Sequence, residues 1–149
     1  MRKNRKMIIF SMAILLGAIM HLSIGGIVTS KQISDLPEEN EVSYIEIYHD
    51  YICGISKYHS IEGDTGVSEI YSVLLSGKKN KTLKSVNDLP SNVNGKLTKI
   101  VLTDSSNKGT SLFTYQGNDG KYYIEKPYEG IYEISVQGYE TLTQYFIAS

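Results

Sequence analysis

The chain of 149 residues contains one cysteine, three prolines and no tryptophan, and its only arginines are Arg2 and Arg5. Each shortage removes a class of function. A lone Cys53 cannot close an internal disulfide or build a thiolate zinc cluster. With both arginines at the extreme start, the rest of the chain has no guanidinium for a bidentate grip on phosphate or carboxylate. Without tryptophan there is no indole to stack a sugar ring. Also missing are a Gly-rich phosphate loop, an HExxH pair and a Ser/His/Asp order. The net charge of −1 hides a split. Beyond Arg2, Lys3, Arg5 and Lys6 there are eleven lysines against sixteen acids, a balance of −5. An acidic body argues against nucleic acid as a partner, because phosphate contacts need clustered Lys and Arg. No cofactor, catalytic residue or metal site is expected. His49, Asp50 and His59 could share an ion from neighbouring strands, but surface histidines account for them more simply. Cys53 reads as a small core residue, since His49 and His59 stand at no protease spacing from it.

What the chain does have begins with a basic patch and a long apolar run. Met7 to Val28 is uncharged, interrupted only by Ser11, His21 and Ser23. A bilayer-crossing helix needs about 20 such residues. Residues 1–30 are therefore expected to be a signal peptide, cut near Ser30, or an uncleaved membrane anchor through residues 7–28. Both readings leave the body outside the cytoplasmic membrane. Residues 31–42, with Pro37 and three nearby glutamates, read as a polar linker. Residues 43–149 read as a single domain.

In that domain, Ser43–His49 and Ile52–Ile61 alternate as strands, with Asp50-Tyr51 as the turn between them. Val67, Ile70, Tyr71, Leu74 and Leu75 make one helical stripe, capped by Asp64 or Thr65 and closed by Gly77. Lys78, Lys79, Lys81 and Lys84 follow. They read as a solvated face, with anionic lipid or wall polymer as the functional alternative. Ser85–Gly95 is a loop rich in Asn and Asp. Strands are expected at Leu97–Thr103, Thr110–Gln116, Lys121–Lys126 and Ile131–Ile134, with a tight hairpin at Gly117–Gly120. Ser135 can cap a last helix carrying Tyr139, Leu142, Tyr145 and Phe146. The expected fold is α+β, ordered β-β-α-β-β-β-β-α. It has an antiparallel sheet of five to six strands, two amphipathic helices on one face and a hydrophobic helix in front.

Two motifs stand out: SVNDLPSNV and the tyrosine-rich KYYIEKPYEGIYEI at Lys121–Ile134. Asn87, Asp88 and Pro90 in the first, and Tyr123, Glu125, Pro127, Tyr128, Gly130, Ile131 and Tyr132 in the second, carry a resemblance. The chain resembles the domain of unknown function 5301 family, small exported proteins of low-GC Gram-positive bacteria. The resemblance implies location and fold unit but no chemistry.

Glu125, Glu129 and Glu133 recur every four residues, which on a helix would align them. Pro127 and Gly130 exclude a helix there. A hydrolase built on carboxylates near Glu125 is thus the lesser alternative. The favoured reading is a binding or accessory module at the cell surface, with a membrane protein or the cell wall as partner. Asn87, Asp88, Tyr123, Glu125, Tyr128 and Tyr132 form its candidate recognition surface, or else a corner that locks the fold.

Overall fold

Alternating and helical stripes become strands and helices in the computed structural model, which describes residues 32–51 and 57–144. The strands are β1 (Val42–His49), β2 (Lys57–Ile61), β3 (Lys78–Lys79), β4 (Val93–Asp104), β5 (Gly109–Gly117), β6 (Tyr122–Lys126) and β7 (Gly130–Ile134). The helices are α1 (Asp64–Ser76), between β2 and β3, and α2 (Val136–Gln144), after β7. The fold is α+β, and every strand pairing is antiparallel, in the order β2-β1-β4-β5-β6-β7-β3. The expected N-terminal hydrophobic helix, Cys53, Tyr145 and Phe146 lie outside the described residues. Among the described residues, no helix is long and apolar enough to cross a membrane.

The sheet has seven strands rather than the expected five or six. The addition is β3: Lys78 pairs with Glu133 and Lys79 with Tyr132, and the Asn80 N–H continues the ladder to the Ile131 carbonyl at 2.8 Å. A two-residue strand has no period to read, so these lysines look like a turn in the sequence. Two boundaries also move. His49 pairs with Lys57 and not with Ile52, a register that places the turn of the β1–β2 hairpin beyond Asp50-Tyr51. β4 starts at Val93, and an irregularity between Val93 and Leu97 accommodates Gly95 at φ +90°.

α1 keeps the expected stripe, with Val67, Ile70, Tyr71, Val73 and Leu74 buried. Its termini differ from expectation. Gly63, at φ +90°, holds the N-cap position, and no side chain caps the helix. Gly77 is extended rather than left-handed, at φ −61°. Glycine is needed there for space, because a Cβ would sit 3.1 Å from Cβ of Tyr132. In α2, Ser135 Oγ accepts from the Gly138 N–H at 3.0 Å, the cap the sequence suggested.

Side chains on successive strand residues face opposite sides, so the sheet carries two cores. On one face Ile45, Ile47, Ile100, Leu102, Leu112, Ile124 and Tyr132 meet both helices through Ile70, Leu74 and Leu142. Burying each Leu or Ile there contributes about 1.5–3 kcal/mol. On the other face Leu97, Phe113, Tyr115, Tyr123 and Ile131 pack under Tyr51, Leu83 and Val93, and among the described residues no helix contributes to that cluster. Within the segment read as polar linker, Ile33 is buried in the helix-covered core and Leu36 packs against it.

Candidate functional site

The corner between β6 and β7 is a four-residue turn, Lys126-Pro127-Tyr128-Glu129, closed by the Glu129 N–H to the Lys126 carbonyl at 3.1 Å. Proline at the second position and a positive φ at the third match a type II turn, which prefers glycine third. Here the third residue is Tyr128, at φ +64°. A bulky residue in the left-handed region costs about 1–2 kcal/mol.

Hydrogen bonds to the loop before β4 hold that strained residue. The Tyr128 N–H donates to Ser85 Oγ at 3.1 Å, and the Tyr128 hydroxyl donates to Asp88 Oδ1 at 2.9 Å. Ser85 in turn donates to Glu125 Oε1 at 2.7 Å, and the Tyr115 hydroxyl donates to Glu125 Oε2 at 2.8 Å. Glu125 is only 3% exposed. A carboxylate so deep is tolerated only when its oxygens are hydrogen-bonded, and both are. Burial, and then the bond to Glu125, push the Tyr115 hydroxyl far above its ordinary pKa, so it stays a donor. The sequence marks Asp88, Glu125 and Tyr128. It does not single out Ser85, the first residue of the SVNDLPSNV run, which bonds both Glu125 and the Tyr128 backbone from 40 and 43 residues away.

The other candidates scatter. Tyr123 lies on the same face, but its hydroxyl turns to Asp119 Oδ2 at 2.6 Å in the β5–β6 hairpin. Burial and that bond push it up to about 12. Asn87 is exposed on the loop. Tyr132 belongs to the opposite face, buried among the helices, its hydroxyl beside Ser34 without a well-formed hydrogen bond. The six residues therefore do not line one groove. Nor do the glutamates pair. Glu129 binds Lys126 Nζ at 2.7 Å and accepts from Ser34 Oγ at 2.6 Å, while Glu133 binds Lys121 at 2.8 Å. Burial raises the Glu129 carboxyl, but the bonds from Lys126 and Ser34 outweigh it and hold the group below its usual range.

Beside the corner runs a groove of about 410 Å³, lined by Lys79, Lys81, Leu83, Lys84, Val86 and Tyr128 among others. No local pattern joins these lysines to the tyrosine run; β3 does so by pairing with β7. Lys79 Nζ donates to the Glu129 carbonyl at 3.0 Å and lies 5.6 Å from the Tyr132 ring centroid. Val86, Leu89 and Tyr128 are 63%, 43% and 64% exposed, an apolar rim beside the cations. A larger hollow, about 620 Å³, is lined by Glu38, Glu39, Asn40 and Asp64 near the start of α1. Among the described residues, no three His, Cys, Asp or Glu side chains are grouped to hold a metal ion.

Each oxygen of the deeply buried Glu125 carboxylate thus accepts from a protein hydroxyl, Ser85 on one side and Tyr115 on the other. No curated protein and no solved structure matches the chain. Residues 30–133, which take in β1 through most of β7, the first motif and all but the last residue of the second, match the DUF5301 family model, described as a domain of unknown function (DUF5300), and the chain belongs to that family.

Proposed function

We propose that this chain is a binding or accessory module held outside the cytoplasmic membrane by residues 7–28, or released there by cleavage, and that the Tyr128 corner is its contact surface. One observation carries the reading. A tyrosine occupies a left-handed turn position where glycine would cost less, and it is 64% exposed. Backbone strain at an exposed aromatic is a mark of a functional surface, because packing alone gives no reason to keep it. Tyrosine gives such a surface broad apolar area with a polar tip. A hydrolase reading lacks a free carboxylate pair at this corner.

The test is a thermal-shift screen of anionic small molecules, wall polymer fragments and lipid headgroups. A binding ligand raises Tm by several degrees through mass action. The shift is expected to vanish in Tyr128→Ser while the free protein stays folded. Hydrolysis of an ester, glycoside or peptide that is lost in Glu125→Gln would overturn the proposal.

A further inference from the structure

We infer that the segment from Lys78 to Leu89, together with Tyr128, lies against an anionic lipid bilayer. The inference rests on the tethered form of the reading above and names the partner of the same corner. Its first support is where the chain enters the domain. Ser34 Oγ donates to Glu129 Oε2 at 2.6 Å, and Lys126 Nζ donates to the carbonyls of Ser34 at 2.7 Å and Asp35 at 3.3 Å. Glu129 also lines the lysine groove. The incoming chain is therefore fastened at the groove's rim. Val28 ends the long uncharged run, and six residue steps separate it from Ser34. Even a fully extended chain covers only about 20 Å in that distance. A tether through residues 7–28 keeps this corner, and not a distant part of the sheet, next to the membrane.

Charge is the second support. Lys78, Lys81 and Lys84 are exposed, and among the described residues none of them, nor Lys79, makes an ion pair. Of the acids nearby, Glu129 is paired with Lys126, while Asp88 accepts from the neutral Tyr128 hydroxyl and sets one negative charge against the four lysines. The body otherwise carries an acidic excess, which an anionic surface repels. Rotating the domain about its tether therefore favours the orientation that turns the lysines to the lipid. Third, Val86, Leu89 and Tyr128 supply exposed apolar area at the same place. Tyrosine suits the interfacial layer, with its ring in the acyl boundary and its hydroxyl among headgroups.

The experiment uses the full chain reconstituted in vesicles. One set is phosphatidylcholine alone, and the other has about a third phosphatidylglycerol to supply surface charge. Backbone hydrogen exchange is followed over residues 80–89 and at Tyr128, with the β4–β5 ladder as the internal control. Exchange in the loop is expected to slow about fivefold in the anionic vesicles, and the protection to fade at high salt as the surface charge is screened. Replacing Lys78, Lys81 and Lys84 by Gln is expected to abolish it while leaving β4 and β5 unchanged. Equal exchange in both vesicle types, or protection that persists in the triple variant, overturns the inference. In that event a soluble ligand whose thermal shift depends on Tyr128 would leave the binding reading standing and remove only the lipid.

Discussion

The two faces of the sheet solve the same problem with different materials. Under the helices the core is aliphatic, and the two tyrosine hydroxyls buried there, Tyr71 and Tyr132, lack well-formed hydrogen bonds. Under the loop before β4 the core is aromatic, and Tyr115, Tyr123 and Tyr128 each place a hydroxyl on a carboxylate. A helix satisfies its own backbone and brings apolar area. A loop does neither and must be held by side-chain bonds. One face is stable through area, the other through polar satisfaction. A surface meant to contact a partner is more naturally built on the second.

Mutations can separate the two modes. The largest effect is expected on the helix side. Leu74→Ala opens a cavity in a fully buried position and should cost about 3–4 kcal/mol. Hydrogen exchange should then quicken throughout the sheet, because the helix-covered core is shared. Glu125→Ala comes next, at about 2–3 kcal/mol, since it leaves Ser85 and Tyr115 without their acceptor. Its signature is local: amides of residues 80–92 should exchange faster by more than those of β1 and β4. Glu125→Gln keeps one acceptor and should cost less than half as much. Uniform loosening in Glu125→Ala would erase the distinction between the faces.

That pair of variants also shows what could be read in advance. α1, the two alternating strands at the start and the Gly117–Gly120 hairpin follow from local periods and turn chemistry. The motif residues Asp88, Glu125 and Tyr128 were legible as candidates because their composition was unusual. Their connection was not, because Ser85 is an ordinary residue whose importance depends on a partner 40 positions away. Tyr132 stands among the candidates in the sequence, and strand alternation places it on the opposite face from Tyr123 and Glu125. In the sequence the run reads as one patch, whereas β6 and β7 distribute it over both faces. Pro127 announced a turn, but nothing local says that the next residue, not Gly130, takes the positive φ.

A smaller effect is expected at alkaline pH, again on the loop-covered face. The Tyr123 pKa is raised in the folded state to about 12. A raised pKa stabilises the fold below the unfolded value, about 10. That contribution is lost as pH rises from there through the folded value. Absorbance titration should show Tyr123 ionising above the bulk of the tyrosines, and Asp119→Asn should bring it down. Smallest is Tyr71→Phe on the helix side. It removes a buried hydroxyl that has no hydrogen-bond partner among the described residues and should stabilise the protein by up to about 1 kcal/mol in denaturant unfolding. A marked loss of stability there would mean that the helix-covered face also depends on polar bonds.

The two-residue strand β3 has a consequence for solubility. It lies at one end of the sheet, over β7. Without it, the outer backbone groups of Gly130–Ile134 would face solvent as an open template for another strand. An uncovered edge of that kind invites edge-to-edge assembly between copies. β3 is short, carries a lysine at each of its two positions and continues only as far as the Asn80 bond to Ile131. It ends the sheet with charge where a longer apolar strand would extend it. Lys79, which lines the groove, thus also acts with Lys78 as a gatekeeper against aggregation.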